Sequence, residues 1–161
     1  MPRQPIIDLR ELDVNKVICT IDDIRKVIPH RYEFELLSGI LYDDLEQHKI
    51  AAFKDVGEDE FWARGHLPGR PIMPGVLIVE AAAQMTCYHR MRWIKDGQFV
   101  GFARLDEVSF RGQVQPPCKL ILMGELVAMS SRRVVCYAQA FVNSNMVFEG
   151  KITGMPLRFD E

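Results

Sequence analysis

The stretch from Pro74 to Trp93 constrains the fold more than any other part of this 161-residue chain. Its first half, PGVLIVEAAA, is apolar on nearly every face, which is typical of a helix buried in a protein core. Proline is tolerated at the first helical position, and Arg90 and Arg92 suit the negative end of the helix dipole. Gly97 is the expected stop. The sequence therefore predicts one long buried helix, around which the remaining chain must pack.

Segments typical of strands lie on both sides of this helix, separated by turn residues. A short helix, starting at Asp22-Asp23 and ending before Pro29, precedes them, and a helical turn is expected at 58–62. One helix with a mainly antiparallel sheet is an α+β fold. Apolar residues at both parities of the fifth strand indicate burial on both faces, or in an interface. The predicted strands are Phe34–Tyr42, Lys49–Val56, Phe99–Phe110, Lys119–Met129, Arg133–Val142 and Met146–Met155.

Composition limits the classes of function. With 48% hydrophobic and 26% charged residues, the chain can form one compact domain. We place that domain at 21–157, with an N-terminal extension at 1–20 and a C-terminal tail at 158–161. A net charge of −2 and the lack of a basic tract argue against nucleic acid as a partner. The absence of a long apolar run or signal peptide predicts a cytoplasmic protein that does not span a membrane.

The four cysteines at 19, 87, 118 and 136 show no CxxC or Cys/His spacing. We therefore expect no metal site and interpret them as free, mostly buried thiols in a reducing compartment.

Glu80 interrupts the apolar part of the long helix. A carboxylate in apolar surroundings pays a large desolvation cost unless it is paired or neutral, so burial favours the protonated acid. A protonated carboxyl group is what a general acid requires. The alternative is that Glu80 reaches solvent, or forms a hydrogen bond with Gln84 one turn later.

His66 and Gly75 are the other candidates. His66 lies in a loop rich in glycine and proline, and a histidine can serve as a base near neutral pH, although a loop histidine is often incidental. Gly75 lies where helix N–H groups have no intrahelical acceptor, so its N–H could stabilise charge on a carbonyl oxygen; alternatively, Gly75 only permits close packing. Removing water from a 3-hydroxyacyl thioester needs such a base, an acid and an oxyanion donor.

The segment GHLPGRPIMPGVLIVEAAAQM resembles the active-site signature of the hot-dog-fold 3-hydroxyacyl-[acyl-carrier-protein] dehydratases of fatty acid synthesis. The PHRY at 29–32 resembles their N-terminal motif, and FARLDEVSFRGQVQPP and CYAQAFVNSNMVFEGKITGM are similar to their later strands. The resemblance covers roughly residues 20–155.

The resemblance implies a long helix wrapped by a curved antiparallel sheet, and a homodimer, with trimers of such dimers common in the family. It implies that His66 of one subunit faces Glu80 of the other, with Gly75 as backbone donor. Pro74, Val76 and Gln84 belong by this resemblance to the substrate-binding residues. The implied substrate is an acyl chain on the phosphopantetheine arm of an acyl carrier protein, with no cofactor. Glutamate rather than aspartate at position 80 favours the branch that dehydrates without isomerising the double bond.

Several positions depart from the family pattern. Leu67 and Ala63 replace aromatic residues and are expected to reshape the acyl tunnel, and Glu33 and Glu35 alter the strand after PHRY. A hot-dog thioesterase, an enoyl-thioester hydratase and a non-catalytic acyl-binding protein remain the alternative functions.

An acidic carrier protein would be attracted by basic residues at the mouth of the acyl tunnel. The alternative is that the basic residues of this chain are ordinary solvated surface residues. We interpret the remaining histidines, His30, His48 and His89, as structural or surface residues. The candidate basic residues are Arg64, Arg70, Arg90, Arg92, Arg132 and Arg133.

Overall fold

A computed structural model describes residues 4–157, so the predicted tail at 158–161 lies outside the described residues. The strands form one antiparallel sheet in the order β1-β2-β3-β5-β6-β7-β4. The α+β prediction is confirmed. The elements in chain order are β1 (Cys19–Thr20), α1 (Ile21–Arg25), a 3-10 turn (Tyr32–Phe34), β2 (Gly39–Asp44), β3 (Lys49–Val56), α2 (Gly75–Ile94), β4 (Phe99–Phe110), β5 (Cys118–Met129), β6 (Val134–Val142) and β7 (Asn145–Leu157).

Helix α2 lies at the centre of the molecule. Pro74 is its N-cap rather than its first residue, and Lys95 ends it in the left-handed conformation with φ 54°. Ala81, Ala82 and Met85 are fully buried and belong to the main core together with the inward-facing side chains of the sheet. Small alanine side chains let the helix approach the sheet closely, so the sheet can curve around it.

Register shifts supply the curvature of the sheet. They occur in the β2–β3, β5–β6 and β6–β7 pairs and twice between β4 and β7. Such bulges bend a strand and increase its local twist. β4, which follows the helix directly, is left at one edge of the sheet.

The N-terminal residues cross the outer face of the sheet. The Ile6 N–H donates to Gln139 Oε1 over 2.9 Å, and Gln139 on β6 is fully buried. This cover explains why β6 is buried on both faces, which is one of the two explanations that its sequence allowed. The second apolar cluster combines Ile6, Ile7, Leu9, Leu12 and Val14 with Leu41, Ala51, Phe53, Ile121, Met123 and Phe141.

Two predicted elements were wrong. The expected strand Phe34–Tyr42 begins only at Gly39, because Tyr32–Phe34 form a 3-10 turn whose Tyr32 has φ 58°. Residues 58–62 form turns instead of a helical segment, and the buried Trp62 anchors them.

Candidate active site

His66 lies on the exposed loop that precedes α2, and the loop fixes its ring. The His66 N–H donates to the carbonyl of buried Trp62 over 2.9 Å, and Gly69 permits the following turn with φ 79°. His66 Nδ1 lies 2.7 Å from the carbonyl oxygen of Ile72. Because a carbonyl only accepts, Nδ1 donates, and the neutral ring therefore carries its free lone pair on Nε2. A base needs such a nitrogen.

Gln84 holds the carboxylate of Glu80. Gln84 Nε2 donates to Glu80 Oε1 over 2.9 Å and to the Phe34 carbonyl over 2.9 Å, while Gln84 Oε1 accepts from the Leu36 N–H over 3.2 Å. The two backbone partners determine which end of the amide faces Glu80. The hydrogen bond between Glu80 and Gln84, which was the alternative interpretation of Glu80 in the sequence, is therefore present. Among residues 4–157, Glu80 Oε2 has no hydrogen-bond partner, so it can face a substrate.

The carboxylate opens into a cavity of about 220 Å³ between α2 and β4. The Glu80 side chain is 23% exposed, so it is not sealed in the core as its apolar neighbours in sequence suggested. The cavity, which we call the Glu80 cavity, is lined by His30, Glu80, Ala83, Gln84, Cys87, Phe99, Val100, Gly101 and Phe102.

Our sequence analysis missed His30 as a member of the site. Its Nε2 lies 3.6 Å from Glu80 Oε1, and its side chain is 15% exposed. Burial lowers the pKa of His30, and the Glu80 carboxylate opposes that shift. Its position in the PHRY segment was the available signal, but nothing in the sequence alone places that segment beside α2.

His66 is not among the described residues that line the Glu80 cavity. The structure of one chain thus builds each half of the predicted pair separately, His66 on the loop and Glu80 on the helix.

The start of α2 supports both interpretations of Gly75. A Cβ added at Gly75 would lie 2.7 Å from Phe110 Cε1, so glycine is needed for close packing. Its N–H has no backbone acceptor among the residues that the structure describes, as expected in a first helical turn. Val76 follows and is 72% exposed.

An apolar groove of about 440 Å³ runs between this helix start and β4. Phe102 and Leu105 on β4 and Val76 on α2 contribute exposed apolar side chains to it. An edge strand with exposed apolar side chains is suited to association with another chain.

Of the six arginines assigned to a carrier-binding surface, Arg90 was wrong. It is fully buried and forms an ion pair with Asp96 at 2.7 Å. Arg92 is also engaged, since it pairs with the buried carboxylate of Asp43. The remaining four are exposed: Arg64, Arg70, Arg132 and Arg133.

His89 is structural, as expected. It is fully buried, and its Nδ1 lies 2.5 Å from Asp43 Oδ1. Cys87 and Cys136 are buried free thiols, whereas Cys19 and Cys118 are partly exposed. Within residues 4–157, no group of three or more His, Cys, Asp or Glu side chains is arranged to hold a metal ion. None of the helices in that range has the length and apolar character needed to cross a membrane.

Comparison with known proteins identifies the family. The family model of the FabA-like domain matches residues 28–151. This chain belongs to the FabA-like family. A curated FabA-like relative, the 3-hydroxyacyl-[acyl-carrier-protein] dehydratase FabZ of Chlamydia trachomatis serovar L2, is 38% identical over 141 residues, covering 86% of this chain and 92% of the relative. The resemblance noted in the sequence is confirmed.

Solved structures confirm the hot-dog fold of this FabA-like chain. The dehydratase heterocomplex ApeI:P from Xenorhabdus doucetiae matches with a TM-score of 0.70 at 13% identity, covering 84% of this chain and 91% of that chain. A hypothetical thioesterase with coenzyme A from Streptococcus pneumoniae matches with a TM-score of 0.58 at 9% identity, covering 86% and 97%. At these identities the likeness concerns the fold alone.

Proposed function

We propose that this chain is a 3-hydroxyacyl-[acyl-carrier-protein] dehydratase of fatty acid biosynthesis, which converts (3R)-3-hydroxyacyl thioesters into trans-2-enoyl thioesters. The observation that carries the proposal is that this FabA-like chain places a histidine and a glutamate so that one can act as a base and the other as an acid. His66 offers a free Nε2, and Glu80 offers an oxygen beside a cavity. The curated relative described above is named for the same activity.

The two groups divide the reaction between them. His66 Nε2 removes a proton from C2, and the electron pair of that C–H bond forms the C2=C3 double bond. Protonated Glu80 gives its proton to the C3 hydroxyl, which leaves as water. The Gly75 N–H, at the positive end of the α2 dipole, stabilises charge on the thioester oxygen. A proton must then return from His66 to Glu80 before the next turnover.

The site is shared between two subunits in this proposal. Two observations support a homodimer: the described lining of the Glu80 cavity lacks His66, and the β4 edge carries exposed Phe102 and Leu105. A partner that docks along β4 would cover the apolar groove and could bring its own His66 loop to the Glu80 cavity.

The acyl carrier protein would approach the exposed arginines. Arg64 and Arg70 flank His66 on its loop, and Arg132 and Arg133 lie in the β5–β6 turn. Reversing the charge of Arg64, Arg70 and Arg133 together should lower kcat/KM for a carrier-linked substrate but not for the matching pantetheine thioester. Equal kinetics with both substrates would remove this surface from the proposal.

Product analysis tests the activity directly. Purified protein given a ladder of 3-hydroxyacyl thioesters should yield enoyl thioesters, whereas a thioesterase would release a free thiol and a non-catalytic protein neither. His66→Ala and Glu80→Gln should each lower turnover by about 10²-fold or more. Glu58→Gln, on an exposed turn, is the matched control and should keep full turnover.

Mixing the two inactive variants tests the shared site. If His66 and Glu80 act from different subunits, a mixed dimer contains one intact site, and partial activity should return. No recovery, once subunit exchange is verified by mass spectrometry, would show that the site is not shared.

A further inference from the structure

His30 is the second ionisable side chain in the Glu80 cavity, and it contacts both walls. Its ring centroid lies 5.6 Å from that of Phe99 on β4, and its Nε2 lies 3.6 Å from Glu80 Oε1 on α2. The backbone that follows His30 is also fixed to α2, because the Phe34 carbonyl and the Leu36 N–H both form hydrogen bonds with the side-chain amide of Gln84. The ring is therefore held beside the carboxylate by the packing around it.

The free ring nitrogen indicates which tautomer faces Glu80. His30 Nδ1 is buried and has no hydrogen-bond partner among the described residues. A buried N–H without an acceptor is rarer and more costly than a buried lone pair. The neutral ring therefore carries its hydrogen on Nε2, toward Glu80. At 3.6 Å the contact is too long for a hydrogen bond, but catalytic contacts often shorten when substrate binds.

Glu80 is the acidic side chain that faces this ring, and its carboxylate, when charged, favours the charged form of His30. On α2, Cys87 also lines the cavity, and burial raises its pKa to about 11, so its thiol is neutral near pH 7. On the other side of the His30 ring, Arg25 and Glu35 form an ion pair with each other, with Nε and Oε1 2.7 Å apart. Arg31, next in sequence, disfavours the charged form of His30. The β4 wall contributes uncharged residues.

We propose that His30 is a positioning residue of the dehydratase site, which supplies, beside the Gln84 amide, the second N–H group directed at the Glu80 carboxyl. This inference rests on the proposed function. When Glu80 gives up its proton, negative charge develops on the carboxylate, and two N–H groups then stabilise it. Without His30, one of the two donors is lost at the moment when that charge forms.

A titration that needs no activity tests the coupling. In protein with isotope-labelled histidine, the His30 ring signals, assigned with a His30→Gln variant, are followed by NMR as the pH changes. Glu80→Gln removes the carboxylate that opposes the effect of burial, so the pKa of His30 should fall. Glu58→Gln is the control and should leave it unchanged. The same His30 pKa in wild type and Glu80→Gln would overturn the proposal, whether or not the protein is a dehydratase.

Kinetics test the role of the N–H group. His30→Leu should lower kcat about tenfold or more, and His30→Gln, which keeps an N–H near the position of Nε2, should recover most of that loss. Equal losses in the two variants, with intact thermal melts, would overturn the positioning role. If wild type itself fails to dehydrate any substrate, the proposed function fails, whereas the titration still decides the coupling between His30 and Glu80.

Discussion

Asp96→Asn is expected to destabilise the protein, because it leaves a buried guanidinium without its counter-charge. Arg90 is fully buried, and its Nη1 and Nη2 donate to the two carboxylate oxygens of Asp96 over 2.9 and 2.7 Å. Nη1 also donates to the Gln98 carbonyl over 3.0 Å. Removing one partner of a buried ion pair costs about 3–5 kcal/mol. Since the Asp96 side chain is 26% exposed, we expect the lower end, about 3 kcal/mol.

Urea unfolding at one fixed protein concentration measures this cost. With a slope of about 1–3 kcal/mol/M, the midpoint of Asp96→Asn should fall by about 1–3 M. The double variant Arg90→Met/Asp96→Asn should regain much of the loss, because an apolar replacement of a buried ion pair is often neutral. Wild-type stability of Asp96→Asn would refute the coupling. So would a double variant whose loss of stability equals the sum of the losses in Arg90→Met and Asp96→Asn alone.

The same pair predicts a pH dependence with a definite sign. The hydrogen bond from Arg90 holds the pKa of Asp96 below its ordinary value. A depressed carboxyl pKa contributes stability that is present above the unfolded value and is lost as the pH falls through the folded value. The difference in unfolding free energy between wild type and Asp96→Asn should therefore be full above about pH 5 and shrink below about pH 4.

Two further predictions concern Gly75 and Cys87. Gly75→Ala should push the half-exposed Phe110 ring aside, because the added Cβ would lie 2.7 Å from it, and this should lower turnover. Adding Phe110→Ala should restore the melting temperature and turnover, since alanine keeps the backbone N–H at position 75; a loss that persists in the double variant would contradict the clash as its cause. Cys87 should resist iodoacetamide at neutral pH, because it is buried and its pKa is raised to about 11, whereas partly exposed Cys19 should react; mass spectrometry of the labelled peptides distinguishes the two, and early labelling of Cys87 would contradict the buried geometry.

Local sequence signals predicted three elements closely. α2, β3 and β4 were predicted almost to the residue, because a long apolar run marks the helix and turn residues bound the two strands. The segment before Gly39 was predicted as a strand on composition. Its 3-10 turn depends on Tyr32 in the left-handed region and on contacts with Gln84, which lie far away in sequence.

Candidate site residues were predictable where their local surroundings carried the signal. Glu80 was conspicuous in an apolar helix, and His66 in a loop shaped by glycine and proline. His30 was not, because its function in our proposal depends on a neighbour 50 positions away on another element. Arg90 was placed at the surface because a basic residue in the last turns of a helix is normally solvated. In the structure it is fully buried and pairs with Asp96, which follows the end of the helix.

The segment at residues 6–14 has a practical consequence for anyone who isolates the catalytic unit. The family match begins at residue 28, yet the sheet's outer surface carries Phe53, Ile121, Met123 and Phe141 beneath that segment. A fragment that begins at residue 28 would expose these apolar side chains to water, and we expect it to aggregate. Protein that keeps residues 6–14 should stay dispersed, so the unit that folds extends upstream of the family match.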